Sequence, residues 1–269
     1  MKYTTQDVHN KVKKLLYSLT GITLSENKDI MISNRIDKLK RNCSFSGDIM
    51  DLLNSIEQGN NVTEFINSFT TNKTHFFRED FHFIDLKDRV LPMFAASGEK
   101  INMYCSASST GEEPYSIALS LLDEKYMLAN HDIELVGIDI NNEVIRKASE
   151  GIFNKRSIQF VPNHLLNTYF SYEDEHFCIN PTLKNAINFR VANVMDKIQM
   201  NQLGKFDIIF SRNMLIYFDD ESRREVGITF YDLLKPNGFI FLGHADKMSK
   251  ISSLFNTVKI GDALIYQKN

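Results

Sequence analysis

The feature that most constrains the fold is a series of five short apolar segments that alternate with helical patterns from about residue 100 onward. Each segment is bounded by turn residues, which is typical of strands buried at the centre of a sheet. Strand, helix, strand repeats favour parallel strands joined by right-handed crossovers. The segments are "KINMYCS" (100–106), "IELVGID" (133–139), "INFRVA" (187–192), "FDIIFS" (206–211) and "GFIFLG" (238–243). The sequence therefore predicts an α/β fold with a doubly wound, mostly parallel sheet.

The two ends of the chain depart from this pattern. Residues 1 to about 70 show helical spacing of apolar residues, as in Leu15, Leu16 and Leu19, which predicts a small all-helical domain. Near the other end, Gly261 and Asp262 separate two β-rich runs, which is a hairpin signal. We expect a helical domain at 1–72 and a sheet domain at 73–269 that closes on an antiparallel edge.

Composition restricts the class of protein. The 269 residues are 43% hydrophobic with a formal net charge of −3, enough apolar material for one good core and a smaller domain. No apolar run reaches the roughly 20 residues that span a bilayer, and the first residues lack the apolar core of a signal peptide, so we expect a cytoplasmic protein without membrane insertion. Cys43, Cys105 and Cys178 lie far apart and the seven histidines form no HExxH pattern, so we expect neither disulfides nor a metal site.

The loop after the first predicted strand indicates the kind of ligand. "SASSTGEEPYS" (106–116) turns from a strand through small residues into a helix that starts with Glu112 and Glu113. A helix start favours anions, but these two carboxylates suit the helix dipole themselves and would repel a phosphate. A nicotinamide-dependent oxidoreductase would need a glycine-rich phosphate loop here, so that function is disfavoured.

The next two strands end in polar residues that have two interpretations each. Asp139 can accept hydrogen bonds from a ribose diol, or it can be the N-cap of a helix that starts near Asn142. Asn193, in "VANVMD", can bond an adenine edge or form a turn. Ligands of open α/β sheets bind outside the carboxyl ends of the strands, so both positions are candidates for a site.

Two further segments carry polar residues beside aromatic residues. In "FSRNMLIYFDD", Arg212 and Asn213 follow a strand, and a single turn could aim Asn213 and Tyr217 at a common site. The alternative is that Tyr217 is an ordinary core aromatic residue. "TTNKTHFFRED" (70–80), where the helical part meets the sheet, fits either a ligand lid or a capped helix start with a buried Phe pair.

Taken in order, these segments resemble one family closely, the chemotaxis receptor methyltransferases of the CheR type. The resemblance covers essentially the whole chain. The segments that carry it are "TTNKTHFFRE", "SASSTGEEPYSIA", "GIDINNEVIRKASEGIF", "FSRNMLIYFD" and "LLKPNGFIFLGHAD". It implies a seven-stranded methyltransferase sheet and transfer of a methyl group from S-adenosyl-L-methionine to receptor glutamates, leaving S-adenosyl-L-homocysteine. This cofactor has no phosphate for Glu112 and Glu113 to repel.

The resemblance also implies roles for residues at matching positions. It places Arg78 and Tyr217 nearest the chemistry and Asp139 on the ribose. The cofactor residues that it implies are Asn72, Thr74, Arg78, Glu113, Asp139, Asn193, Val194, Arg212 and Asn213. Because a glutamate is ionised at neutral pH, the reaction needs no general base, and we assign Arg78 to positioning and Tyr217 to orienting the substrate oxygen. A non-catalytic signalling module that binds the same cofactor is the alternative.

The helical part contains a basic stretch that predicts a partner surface. The resemblance implies that its face, Arg35, Lys38, Lys40 and Arg41, contacts the acidic cytoplasmic coiled coil of a methyl-accepting receptor. A solvated helix face is the bland alternative, and nucleic acid is disfavoured because the whole chain is acidic. We expect a monomer.

An insert between about 160 and 190 predicts a small antiparallel β subdomain. Some relatives grip a receptor's C-terminal tether peptide there through a hairpin with a glycine-rich loop. The loop here, "SYEDEHF", has no glycine and is acidic, so we expect less freedom for a tight turn at positive φ and no binding of a tether peptide.

Overall fold

The computed structural model describes residues 3–95, 99–122, 132–246, 254–261 and 263–269. None of the helices in these ranges is both long enough and apolar enough to cross a membrane. The loop residue Asp262, on which part of the hairpin prediction rests, lies outside them.

The chain begins with a helical region, as its spacing predicts. Thr4 caps the first helix in a capping box with Asp7, and Asp48 caps the third, so local side-chain chemistry sets where these helices begin. One buried cluster, which includes Leu16, Ile32 and Phe65, holds the helices together. The helices are α1 (Thr5–Thr20), α2 (Asp29–Asn42), α3 (Ile49–Glu57) and α4 (Val62–Phe69), with a short 3-10 turn at Glu26–Lys28.

Eight further helices are distributed through the rest of the described chain. α5 and α6 are joined by one turn of π-helix at Leu86–Val90, and together they form a continuous helical stretch. The helices are α5 (Phe81–Asp85), α6 (Leu91–Ala95), α7 (Glu112–Leu122), α8 (Asn142–Glu150), α9 (Asn163–Tyr169), α10 (Pro181–Asn185), α11 (Lys197–Asn201) and α12 (Asp220–Leu233).

The predicted sheet is present and has seven strands. Their order is β6-β2-β1-β7-β8-β10-β9, so the strand order reverses between β1 and β7. Met103 and Cys105 of β1 pack into one apolar cluster and Tyr104 into the other, because successive side chains of a strand face opposite sides. The strands are β1 (Ile101–Ser106), β2 (Ile133–Asp139), β3 (Ile152–Phe153), β4 (Phe170–Glu173), β5 (His176–Ile179), β6 (Ile187–Val191), β7 (Phe206–Ser211), β8 (Leu234–Leu242), β9 (Phe255–Ile260) and β10 (Ala263–Lys268); β3, β4 and β5 form a separate sheet.

The strand directions of the main sheet are as predicted, but β6, which the sequence predicts as a central strand, lies at one edge of the sheet, where most of its residues are exposed. β1 pairs in parallel with β2 and β7, and β10 is antiparallel to β8 and β9, which confirms the closing hairpin. β8 starts earlier than predicted because Leu234 pairs with Phe206 before a register shift, after which Ile208 pairs with Phe239.

The β insert is a three-stranded antiparallel sheet in the order β3-β5-β4. β4 and β5 are joined by only two residues, Asp174 and Glu175, at φ +46° and +64°. The expectation that a loop without glycine disfavours a tight positive-φ turn is therefore wrong. Such a two-residue turn matches the twist of the strands, and these two residues adopt it without glycine.

The helical region contacts the rest of the chain close to the carboxyl ends of the strands. Ile22 forms a β-bridge with Phe218, and the Asn67 side chain donates to Asn142 Oδ1 at 2.7 Å. A domain boundary at residue 72 stays a prediction.

Candidate functional site

The small residues after β1 allow a loop that folds tightly against β2. The Ser108 N–H and hydroxyl both donate to the Ile138 carbonyl, at 2.7 and 2.9 Å. Gly111 has φ +96°, and a Cβ there would lie 3.0 Å from the Ala148 Cβ, so this position favours glycine. The loop is consequently packed against the end of β2 and against α8.

Asp139 lies at the end of β2 with only 4% of its surface exposed. Its carboxylate accepts from the backbone N–H groups of Ser109 at 3.0 Å and Asn141 at 2.9 Å. Burial raises the pKa of Asp139 to about 6, although these N–H groups oppose the rise. The N-cap interpretation is wrong, because Asn141 caps α8 with its own side chain.

The start of α7 carries a buried ion pair. Arg212, whose side chain is fully buried, donates to Glu113 Oε2 at 2.9 Å and lies 3.5 Å from Glu79 Oε2. The Cys105 thiol donates to the other Glu113 oxygen at 3.2 Å. Burial raises the pKa of Glu113, and Arg212 partly offsets this. Two carboxylates thus neutralise the one guanidinium.

The segment that carries Arg78 is held at both sides. The Phe77 N–H donates to the Ser116 hydroxyl at 2.9 Å, and the Arg78 carbonyl accepts a hydrogen bond from Arg212. Phe77 and Glu79 adopt φ +54° and +51°. The Arg78 guanidinium is partly buried and makes a long hydrogen bond, 3.4 Å, to the Lys73 carbonyl.

The predicted residues Asn72 and Thr74 lie beside the loop after β1. Both are partly buried, and the Asn72 carbonyl accepts from the Ser109 hydroxyl at 3.3 Å. Because the Ser109 N–H donates to Asp139, the structure brings Asn72 and Asp139 into one network.

Asn213 and Tyr217 lie on a turn after β7 that is organised by Asp246. The Asp246 carboxylate accepts from the N–H groups of Asn213, of Ile216 at 3.1 Å and of Gly243 at 3.1 Å. Asn213 has φ +57°, and its side chain donates to Glu79 Oε1 at 3.4 Å. Burial raises the pKa of Asp246 to about 6.

Tyr217 is partly buried, whereas its neighbour Phe218 is a core residue with 4% exposed. The Tyr217 carbonyl accepts two hydrogen bonds from Thr23, from the N–H at 2.9 Å and the hydroxyl at 3.1 Å. The helical region therefore contacts this candidate catalytic residue directly.

Asn193 forms a turn. Its Oδ1 accepts from the Met195 N–H at 3.0 Å, and its Nδ2 donates to the Leu19 carbonyl at 2.9 Å. Val194 is buried beside it. Of the two interpretations of Asn193, the structure supports the turn, in which its N–H donates to Gln199 Oε1 at 2.8 Å and its carbonyl accepts from the Asp196 N–H at 2.9 Å.

Sequence reasoning missed Glu79, Asp246 and Cys105 as site residues. Burial would raise the pKa of Glu79, but Arg212 and the hydrogen bonds from His244 and Asn213 lower it. Glu79 and Asp246 both lie inside the motifs "FFRED" and "GHAD", which is the one signal that could have found them.

A cavity of about 480 Å³ opens next to this network. Glu79 borders it, and the nominated cofactor residues do not lie among its lining residues, which include Phe83, Ile84, Lys87, Ser120, Phe160 and Leu165. Among the described residues, no three His, Cys, Asp or Glu side chains group as metal ligands.

Two of the sequence-predicted site residues, Asp139 and Glu113, are carboxylates that lie near the carboxyl ends of the strands. Asp139 ends β2 and Glu113 lies in the first turn of α7, and ligands of open α/β sheets bind outside the carboxyl ends of the strands. Within the described ranges, the Ser211 hydroxyl and Arg212 Nε are buried polar atoms without a protein partner at the end of β7. Buried polar groups need partners, which favours a polar ligand here.

The comparisons with known proteins agree with this chemistry. Residues 72–263 match the family described as "CheR methyltransferase, SAM binding domain". "Chemotaxis protein methyltransferase 2" of Vibrio cholerae is 36% identical over 96% of this chain and 91% of its own length. "Chemotaxis protein methyltransferase" of Escherichia coli is 35% identical over 93% of this chain and 87% of its own. The chain therefore belongs to the CheR family of S-adenosylmethionine-dependent chemotaxis methyltransferases.

Proposed function

We propose that this protein methylates glutamate side chains of methyl-accepting chemotaxis receptors and forms methyl esters that serve sensory adaptation. The observation that carries the proposal is the pairing of a fully buried Arg212 with Glu113 and Glu79 at the carboxyl end of β7, opposite Asp139. This network supplies carboxylates, and the loop after β1 lacks the glycine-rich pattern of a phosphate loop. The protein acts in the cytoplasm, where the receptor segments to be modified lie.

Individual residues hold the cofactor at different points. Asp139 accepts hydrogen bonds from the ribose hydroxyls, and Glu113 receives the amino group of the methionine part. Asn193 and Val194 would line the adenine side. The remaining contacts come from Asn72, Thr74, Arg78, Arg212 and Asn213.

When bound, S-adenosylmethionine supplies a methyl group on a sulfonium, and transfer of that methyl to a carboxylate oxygen breaks one C–S bond and leaves S-adenosylhomocysteine. The substrate glutamate is already ionised near neutral pH, so the protein does not have to remove a proton. Its task is alignment, which can contribute on the order of 7–11 kcal/mol. Arg78 positions the carboxylate, and the Tyr217 hydroxyl orients it by one hydrogen bond.

The charge of the network suits this reaction. A carboxylate and a sulfonium neutralise each other in the transition state, so a strongly cationic pocket would stabilise the separated charges more and slow the transfer. Arg212 is neutralised by Glu113 and Glu79 instead of facing the substrate as a free cation. Arg78 is consequently the charged donor that we assign to the substrate.

The partner surface is the exposed face of α2, where Lys38 and Arg41 are exposed and Lys40 is partly exposed. These residues attract the acidic coiled coil of a receptor and orient its approach. Arg35 is partly exposed like Lys40, but it differs from the other three because its guanidinium donates to the Phe69 carbonyl and the Thr71 hydroxyl. We propose that a monomer docks by α2 alone, without nucleic acid and without a tether peptide at the β insert. The acidic residues Glu173, Asp174 and Glu175 support this, because they would repel an acidic peptide, and titration of an acidic aromatic tether peptide tests it.

A non-catalytic signalling module with the same cofactor cleft is the second candidate. Both candidates require S-adenosylhomocysteine to bind, so transfer must be measured separately. The purified chain is incubated with methyl-labelled cofactor and receptor cytoplasmic fragments, with Tyr217→Phe and Arg78→Ala as matched variants. Label that is released from the receptor by alkali supports the proposal. Tight cofactor binding without any labelled receptor would support the signalling module.

A further inference from the structure

Arg35 differs from its basic neighbours on α2. Its side chain is partly buried, and its guanidinium donates to the Phe69 carbonyl and to the Thr71 hydroxyl, the latter at 2.7 Å. Lys38 and Arg41, on the same helix, are exposed. The sequence-based assignment of Arg35 to an open receptor face is therefore not supported by its surroundings.

The two groups that Arg35 contacts mark the exit from α4. Phe69 is the last residue of α4, and its carbonyl is one of those that lack a partner within the helix. A cation at this place satisfies the carbonyl and interacts favourably with the helix dipole. Arg35 thereby determines where the chain leaves α4 and enters the segment with Asn72 and Thr74.

Three successive residues of this segment are held by three different parts of the molecule. The Asn141 side chain donates to the Thr70 hydroxyl at 2.8 Å, and the Ser109 hydroxyl donates to the Asn72 carbonyl at 3.3 Å. Arg35 holds the residue between them, Thr71. Asn141 and Ser109 also donate their N–H groups to Asp139, so two of the three contacts connect directly to the proposed ribose site.

The charge of Arg35 also acts near the catalytic candidate. Burial lowers the pKa of Arg35, and an electrostatic interaction with Tyr217 partly offsets this. Arg35 therefore contacts Thr71 and lies within electrostatic range of Tyr217.

We propose that Arg35 is a positioning residue for the cofactor cleft: by bridging the end of α4 and Thr71, it holds Asn72 and Thr74 in the conformation that binds S-adenosylmethionine. This inference rests on the proposed function, because Asn72 and Thr74 are cofactor residues only under that proposal. Under this proposal, Arg35 of α2 supports the cofactor site, while the exposed face of the same helix binds the receptor.

The test is the affinity of the receptor-free protein for S-adenosylhomocysteine, measured by calorimetric titration. Arg35→Met keeps the apolar stem and removes the donors, and Thr71→Val removes the acceptor with little change of shape. We expect Thr71→Val to weaken binding by about fivefold and Arg35→Met by at least as much, because Arg35→Met also removes the hydrogen bond to the Phe69 carbonyl. The double variant should bind no more weakly than Arg35→Met, because the hydrogen bond that Thr71→Val removes is already absent there. Lys38→Met and Arg41→Met, the matched controls, leave the affinity unchanged.

A steady-state measurement separates positioning from general loss of structure. Arg35→Met raises the KM for S-adenosylmethionine and leaves kcat at saturating cofactor unchanged, and Arg35→Lys, which can keep one hydrogen bond, gives an intermediate KM. Wild-type affinity in folded Arg35→Met and Thr71→Val would overturn the inference, and Thr71→Val decides alone if Arg35→Met does not fold. Absence of binding by the wild-type chain would instead overturn the proposed function.

Discussion

The two ends of the proposed cofactor site are built from different kinds of contact. At the end of β2, Asp139 is held by backbone N–H groups from nearby loops. At the end of β7, Arg212 is held by side chains from distant parts of the chain, Glu113 and Glu79. The first end depends on how the local backbone folds, and the second depends on a balance of buried charges. Substitutions at the first end should therefore mainly lower the affinity for the cofactor. Substitutions at the second end should mainly lower the free energy of unfolding.

The largest expected effect is on the charged end. Arg212→Met leaves Glu113 buried without its cation, and removal of one partner of a buried ion pair costs about 3–5 kcal/mol. We expect a loss of this size in the free energy of unfolding, measured by urea denaturation at pH 7. The matched control is Arg146→Met, which removes an exposed ion pair with Glu150 and should cost less than about 1 kcal/mol.

The same variant tests the cause of the loss. Without Arg212, the pKa of Glu113 rises further, so Glu113→Gln in the Arg212→Met background should restore part of the stability. Equal stability of Arg212→Met and wild type would show that the ion pair between Arg212 and Glu113 does not contribute to the free energy of unfolding.

At the backbone-held end, the expected effect is on the ligand. Asp139→Ala removes one or two charge-assisted hydrogen bonds to the ribose, each worth roughly 1.5–3 kcal/mol. Affinity for S-adenosylhomocysteine should fall at least about tenfold by titration calorimetry, with the circular dichroism of the fold retained. Unchanged binding by a folded variant would remove Asp139 from the cofactor site.

The pH dependence of binding sharpens this comparison. Burial raises the pKa of Asp139 to about 6, so the carboxylate becomes protonated as the pH falls from 7 to 5. If only the carboxylate binds the ribose well, affinity at pH 5 should be about tenfold lower than at pH 7, since one pKa unit is a factor of ten. Asp139→Asn should flatten the profile. A wild-type profile that is flat over this range would contradict the assignment.

The smallest expected effect concerns the turn that Asp246 organises. Tyr217→Phe removes only a hydroxyl, so turnover should fall about two- to tenfold, which corresponds to one hydrogen bond, while affinity for S-adenosylhomocysteine stays the same. Arg78→Ala should impair both quantities. Wild-type turnover of Tyr217→Phe at saturating cofactor would return Tyr217 to a packing role.

The contrast between the two ends also explains what could be predicted from the sequence. Four of the five strands predicted as central, the closing hairpin and the position of Asp139 at the end of β2 follow from local apolar patterns and from residues at strand ends; the fifth strand, β6, lies at the edge of the sheet. Glu79 and Asp246 were missed because their partners, Arg212 and the N–H groups around Asn213, come from distant parts of the chain. Asp174 and Glu175 show a different limit, because a tight turn with positive φ formed without glycine.

Arg35 illustrates the same limit on a helix face. Helical spacing places it on α2 near Lys38 and Arg41, but the pattern contains no information about the end of α4 that packs against it. Residue type alone does not show whether an arginine is exposed to solvent or donates to a carbonyl at the end of another helix.

The most direct test is a crystal structure of the chain with S-adenosylhomocysteine. Our account predicts that the ribose hydroxyls lie within hydrogen-bond distance of Asp139 and that the amino group lies beside Glu113, in the cleft between β1 and β7. Density for the ligand in the neighbouring cavity lined by Phe83, Ser120 and Phe160, with the cleft closed by side chains, would contradict it.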